Sequence, residues 1–396
     1  MRVLIAAARP PAANGKGYQV RLFNQILQLA GTHDITLLAL AHKGEEIEPQ
    51  MVRACRVARL IERSRAIGPV LALAQTPRLP WSVGLYRDPR MRLAIRESLR
   101  TGRFDLLHLQ LVRMGTYLRE GPQIPVLLDL MDAAALNMRE RAATAPLGMR
   151  QLLQLEARRL AQLELRLIEE ADLSLLISER DRASVGSPRK TRVNPNGIDP
   201  PPDMSNAVTR AKSTVILTGT MSYFANSDAA AWFTASILPL VKLRIPDVQF
   251  RIVGRDPGRA VTSLSTAGVI VTGAVANIAN ELRRAAVAVC PIRLGSGLST
   301  KVLEAMATGT PVIATSKAVQ GLPSSLARYA LIADDAGTFA DAVVRSLQDS
   351  GPALDRASLG LAEIRRSHTW RHSVDELEAS YEEAITSHGI RNPVAS

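Results

Sequence analysis

Arg293, Lys301 and Glu304 lie close together in the stretch PIRLGSGLSTKVLEAMATGTPVIATS, residues 291–316. A strand-like end there passes through Gly295, Ser296 and Gly297 into an apolar helix and then a second strand. Free amides at a helix start attract an anion, and glycines let it approach the backbone. Arg293 and Lys301 add formal positive charge, and Glu304 can accept hydrogen bonds from the vicinal hydroxyls of a sugar. Phosphate plus ribose means a nucleotide. The plainer reading of the same residues is an ordinary strand–loop–helix turn with solvated charges.

A second group of chemically capable residues ends the run IPVLLDLMD (124–132). Asp129 and Asp132 there can orient an acceptor hydroxyl or cap the structure that follows. Asp132 with Arg139 and Arg141 can frame an acceptor pocket. The two carboxylates are three apart and make no Asp-x-Asp metal motif, and Cys55, Cys290 and six scattered histidines show no ligand spacing. No metal and no cofactor are expected. G-x-G-x-x-G is absent after both candidate first strands, which argues against a nicotinamide oxidoreductase.

These residues need a frame. Strand-like runs at 2–8, 34–40, 104–110, 124–132, 173–178 and 191–197 alternate with helical periodicity, clearest at 18–30 and 147–170. Strand–helix alternation implies a parallel sheet with helices on both faces. The proline-rich stretch 194–213 reads as a linker. The pattern then restarts with strands at 213–219, 248–254, 268–275, 286–293 and 310–316, and helices near 227–243, 277–286 and 298–308. Two α/β units are expected, 1–200 and 201–370, followed by a closing helix at 371–390. Ligands of such sheets bind outside the carboxyl ends of the strands, so the cleft between two sheets is the expected site.

The 396 residues carry a net charge of +12. Residues 51–103 hold 12 Arg against 3 acids, which reflects Arg-rich composition or a basic face for an anionic membrane surface. Nucleic acid is not expected, because aromatics are only 4% of residues and no binding motif occurs. The start, MRVLIAAARPP, is too short for a signal peptide and reads as a first buried strand, and no run is long enough to span a membrane. With two cysteines and no disulfide framework, a reducing, cytoplasmic setting is expected, with peripheral membrane contact through the basic face.

The stretch KVLEAMATGTPVIAT resembles the donor-binding signature of glycosyltransferase family 4, retaining nucleotide-sugar transferases of the GT-B fold. Glu304 stands at the family's second glutamate. The first glutamate's place falls on Ser296, as in a branch that reads GSG-x-x-x-K-x-LEA. The resemblance extends further. PAANGKGYQVRLFNQILQLA is similar to the family's first Gly-rich loop, which implies donor contacts from Gly15, Gly17 and Arg21. NPNGID (194–199) is similar to its interdomain segment. ILTGTMSYFANSDAAAWF places Gly219 and Asn226 where a basic pair is usual, and FRIVG and VTGAV place Gly254 and Val275 at strand ends lining the nucleobase. Ser299 and Thr300 join the donor side at the helix start. His108, closing FDLLH, falls where the family often has a histidine reaching the donor sugar.

What this resemblance implies is two Rossmann-like domains and transfer of a sugar from a nucleotide-diphosphate sugar to a hydroxyl acceptor on a glycan, a lipid-linked carrier or a natural product. Stereochemistry would be retained, and His108, Arg293 and Lys301 would serve catalysis in place of a metal. The nearest likeness is to transferases of bacterial exopolysaccharide or cell-surface glycan assembly. Two other readings share the fold. A nucleotide-sugar epimerase would release product without an acceptor. A catalytically weak member, suggested by Ser296, would act as a binding partner in a glycan-assembly complex.

Overall fold

The structure, a computed structural model, describes residues 1–63, 79–120, 124–143, 145–186, 188–202, 208–294 and 300–391. Two compact units divide the chain: Met1–Asn196 together with the chain from Trp370 onward, and Gly197–Thr369.

In the first unit the elements run β1 (Arg2–Ala7), α1 (Gly17–Leu29), β2 (Asp34–His42), β3 (Val57–Arg63), α2 (Pro89–Thr101), β4 (Leu106–Gln110), β5 (Val126–Met131), α3 (Ala134–Ala143), α4 (Leu147–Glu170), β6 (Leu173–Leu176) and β7 (Thr191–Val193). The second unit holds β8 (Thr214–Thr218), α5 (Phe224–Trp232), β9 (Gln249–Val253), β10 (Val269–Gly273), α6 (Ile278–Arg284), β11 (Val287–Cys290), α7 (Thr300–Ala307), β12 (Val312–Ala314) and β13 (Leu331–Ile332). The long helix α8 (Trp370–Arg391) belongs to the first unit again.

Both sheets are parallel throughout, ordered β3-β2-β1-β4-β5-β6-β7 and β10-β9-β8-β11-β12-β13. Each therefore reverses direction once, between β1 and β4 and between β8 and β11. Ligands of doubly wound sheets sit at such switch points, outside the carboxyl ends of the strands. Parallel strands covered on both faces must be apolar on both, and Val3–Ala7 of β1 are all fully buried. Alternate residues feed different cores. Leu4, Leu107, Leu109 and Leu128 join one cluster, while Val3, Ile5, Leu106 and Leu127 join another with Val374, Leu377 and Tyr381 of α8.

Local signals explain the helices nearest the sites. Asp88 caps α2 by accepting from the Arg90 amide at 2.8 Å, Pro89 takes the first helical position, and Met91, Ala94, Ile95 and Leu99 bury one face. α7 buries Val302, Leu303, Ala305 and Met306 and stops at Gly309, whose φ of +63° favours glycine.

Two expectations need correction, and a third is refined. β3 was not foreseen as a strand, because it lies at the sheet edge and alternates charged and apolar residues with only Ile61 buried. The helix expected over 227–243 is interrupted by a π-turn at Phe233–Ile237 before it resumes at Leu238–Lys242. Pro239 offers no N–H to continue the α ladder there. Of the twelve arginines in the basic face expected over 51–103, five are seen to reach a carboxylate: Arg56 reaches Asp34, Arg59 reaches Glu97, Arg90 reaches Asp88, and Arg92 and Arg96 share Glu120. Among the described residues, no helix is long and apolar enough to cross a membrane.

Candidate active site

At the switch point of the second sheet, Gly219 follows β8 with a φ of +146°. A Cβ built on it would lie 2.7 Å from Asn226 Nδ2 and 2.8 Å from Lys301 Cε. Gly219, Asn226 and Lys301 thus meet at the carboxyl end of β8. Gly254, at the end of β9, backs onto the same turn: a Cβ there would fall 1.7 Å from the Gly219 carbonyl oxygen, so only glycine fits. Asn226 is 3% exposed; its Nδ2 donates to the Thr220 carbonyl at 2.8 Å, and among the described residues its Oδ1 has no partner. A buried acceptor without a partner is costly, and a ligand N–H or O–H would satisfy it.

Lys301 and Glu304 stand one turn apart on α7. Burial holds the Lys301 ammonium below its ordinary pKa, against the opposing pull of Cys290 and Glu304. Burial likewise raises the Glu304 carboxyl, which Lys301 pulls back down. The Cys290 thiol is pushed up to about 12 by burial, so it stays protonated. The turn therefore sets an amine and a carboxyl side by side in a poorly solvated place, where charge interactions are strong. Val275 is half-buried just past β10, and Thr300 is exposed at the start of α7. Gly295, Ser296, Gly297 and Ser299 lie outside the described residues.

Arg293 is placed differently from expectation. Its Nε and Nη2 donate to the two Asp228 oxygens at 3.1 and 2.7 Å, and its guanidinium lies 4.9 Å from the Trp232 ring centroid. A carboxylate already balances its charge, whereas Lys301 packs directly against the Gly219 backbone and Arg255 reaches the neighbouring Thr220 hydroxyl.

The first unit corrects more of the sequence reading. Arg21 is fully buried: Nε donates to Asp129 Oδ2 at 2.9 Å, Nη1 to Asn196 Oδ1 at 2.9 Å and Nη2 to Asn194 Oδ1 at 2.6 Å. Asp129 is equally buried and also accepts from the Met131 amide at 3.0 Å. Each is engaged by the protein in this structure, Arg21 by three side-chain acceptors and Asp129 by the Arg21 guanidinium and the Met131 amide. Gly15 sits in the loop from β1 to α1 with Gln19 closing the space over it, and Gly17 opens α1. Asp132 is half-buried and accepts from Asn137; burial, followed by the Asp181 charge, lifts its carboxyl to about 6. Arg139 is exposed on α3.

His108 does not end its strand. β4 continues to Gln110, and His108 is fully buried, its Nδ1 2.8 Å from the Tyr381 hydroxyl of α8. Burial pushes its pKa down to about 4, so it is neutral at pH 7 and packs as core. Gln110 occupies the strand end instead, 1% exposed, with Nε2 donating to the Tyr18 carbonyl at 2.7 Å and no partner for Oε1 among the described residues. The sequence signal was available: a polar residue ending an apolar strand, on the same face as His108. The burial of His108 also has a pH signature. Below its ordinary pKa of 6.5 the unfolded chain takes up a proton that the folded protein refuses until about pH 4. Stability present above pH 6.5 is thus lost as pH falls towards 4, by up to about 3 kcal/mol. Asp132, and Glu164 with its carboxyl raised by burial to about 7, act oppositely but do so in any His108 variant. The urea midpoint of the wild type is therefore expected to fall relative to that of His108→Gln between pH 7 and 4.5. Parallel midpoints would show a histidine that titrates normally.

Among the described residues, no three His, Cys, Asp or Glu side chains group to hold a metal ion. Residues 212–349, spanning the Gly219–Asn226–Lys301 turn, match the family described as Glycosyl transferases group 1. The match takes in most of the second unit. The D-inositol 3-phosphate glycosyltransferase of Mycolicibacterium smegmatis is 31% identical over 188 residues, covering 41% of this chain and 42% of that protein. Its counterpart in Mycolicibacterium vanbaalenii is 33% identical over 207 residues, covering 42% and 43%. The chain thus matches less than half the length of these curated relatives. Among solved structures, sucrose-phosphate synthase from Thermosynechococcus elongatus superposes with a TM-score of 0.67 at 18% identity, over 98% of this chain and 100% of that one. The Anabaena protein HepE in complex with UDP gives 0.64 at 13%, over 96% and 100%. At such identities the likeness is one of fold, and the fold, two parallel-sheet units in one chain, is that of the GT-B glycosyltransferases.

Proposed function

We propose that the protein transfers a sugar from a nucleotide-diphosphate sugar to a hydroxyl acceptor, with retention of configuration and without a metal. The observation that carries this reading is the convergence of Gly219, Asn226 and Lys301 at the sheet switch point of the glycosyl transferase domain. Gly219 and Gly254 allow a diphosphate close to the backbone, Lys301 meets its charge, and Glu304 receives ribose hydroxyls. As the bond from the sugar's anomeric carbon to the phosphate oxygen breaks, negative charge grows on the diphosphate, and a buried ammonium stabilises it without reorganising. The acceptor oxygen bonds to the same carbon from the same face, and its proton passes to the departing phosphate oxygen. HepE, a structural neighbour, is solved with UDP and with UDP-glucose, which supports a uridine nucleotide as the first donor to try.

The acceptor side falls to the first unit, with Asp132 and Arg139 as candidates there, and the product belongs to cell-surface glycan assembly. A cytoplasmic setting suits Cys55 and Cys290, both buried free thiols. Membrane contact through residues 51–103 is not needed for this reading, and five of the twelve arginines there pair with carboxylates. Turnover of a nucleotide sugar by the full chain in EDTA, with the product anomer read by NMR, tests the reaction and both of its qualifiers.

A further inference from the structure

We propose that the carboxyl edge of the first sheet carries an anion-binding subsite, formed by Arg63 and Arg113 on Tyr86, that receives a phosphate or carboxylate borne by the acceptor. Assigning the anion to an acceptor rests on the transferase reading above; the anion site itself does not.

Arg63 is the last residue of β3, and Arg113 lies three residues beyond β4. Both therefore emerge at the sheet edge where ligands of this fold bind. Their guanidinium carbons lie 4.7 and 4.6 Å from the centroid of the same Tyr86 ring, and Arg113 Nη1 is 3.4 Å from the Tyr86 hydroxyl. Two like charges sharing one ring repel unless something answers them. Among the described residues neither reaches a carboxylate, unlike Arg56, Arg59, Arg90, Arg92 and Arg96 in the same stretch of chain. Stacking uses the face of a guanidinium and leaves its in-plane donors free for the oxygen pairs of a carboxylate or phosphate. Tyr86 thus holds two forks in place without using them up.

The surroundings fit a ligand site. Tyr18 has Tyr86, Arg113 and Arg9 as electrostatic neighbours, and Arg9 is already balanced by Glu45. Asp132 is the acid facing Arg113, and Asn137 binds it. Gln110, at the end of β4, keeps a buried Oε1 without a partner among the described residues. Leu111, just past β4, and Met131, the last residue of β5, adopt φ of 70° and 65°. Left-handed backbone at non-glycine residues is strained and concentrates where a site must be held in shape.

The test is calorimetric titration of the full chain with glucose 6-phosphate, glucuronate and glucose. At least one anion is expected to bind about tenfold or more tightly than glucose, as hydrogen bonds to charged groups imply. Which anion wins names the group the acceptor carries. Arg113→Ala and, separately, Arg63→Ala should each erase most of that preference, with circular dichroism confirming that the variants fold. Lys301→Ala should preserve it. Equal binding of glucose and both anions, or a preference that survives both arginine variants, overturns the subsite. So does a preference lost only in Lys301→Ala, which would place the anion at the donor turn. A chain with the arginine-dependent preference that turns over no nucleotide sugar keeps the subsite and loses its assignment to an acceptor.

Discussion

Lys301→Ala is expected to lower kcat for sugar transfer by about 10²–10³-fold, with a much smaller change in donor KM. The reasoning starts from where the ammonium sits. The Lys301 side chain packs against Gly219, as does the Asn226 amide, in surroundings whose burial disfavours its charge. An anion whose charge increases along the reaction gains more from that ammonium at the transition state than in the bound ground state. An interaction of that kind appears in kcat. Arg293 is not expected to substitute, because its Nε and Nη2 already donate to Asp228. Glu304→Gln provides the contrast: a ribose contact is made equally in ground and transition states, so this variant should raise donor KM and leave kcat near wild type. Lys301→Met retains the packing of the alkyl chain and should behave as Lys301→Ala does. A rise in KM alone for the lysine variants would make Lys301 a docking charge.

Arg21→Ala is expected to destabilise the protein by about 3–5 kcal/mol, seen as a large fall in the urea midpoint. The substitution leaves the Asp129 carboxylate fully buried without its counter-charge and removes the donors that Asn194 and Asn196 accept. Those asparagines lie where the chain leaves the first unit. Asn194 also donates to the Ser373 carbonyl of α8 at 2.8 Å, so the damage should spread to the docking of that helix. Replacing both charges together, as in Arg21→Met with Asp129→Leu, should recover much of the loss, since an apolar pair has no charge to desolvate. A change below about 1 kcal/mol for Arg21→Ala would mean that the guanidinium is accessible and free to serve a ligand.

The two cases show what the sequence could and could not reveal. The strands nearest the switch points were legible because parallel strands buried on both faces need unbroken apolar runs, as in RVLIAA and TVILT. The edge strand β3 carries charges along its exposed positions and hides among turns. The glycines at the donor turn were legible as glycines, but the reason for Gly254 is the carbonyl of Gly219, 35 residues earlier in the chain. The roles of the charged residues were least legible. Arg21 finds partners 108, 173 and 175 residues away, and Arg293 finds Asp228 at a separation of 65. Counting arginines near glycines cannot distinguish a cation kept for a ligand from one already paired. His108 and Gln110 differ by two positions on one strand, and only the observed end of β4 decides which of them reaches the edge of the sheet.

The central claim is most directly tested by incubating the full chain with UDP-glucose and a panel of hydroxyl acceptors in excess EDTA, then reading glycoside product and its anomeric configuration by NMR. The account predicts an α-linked product from the α-linked donor, undiminished by EDTA and reduced about 10²–10³-fold in Lys301→Ala. Product of inverted configuration, or turnover abolished by EDTA and restored by Mg²⁺ or Mn²⁺, would contradict it.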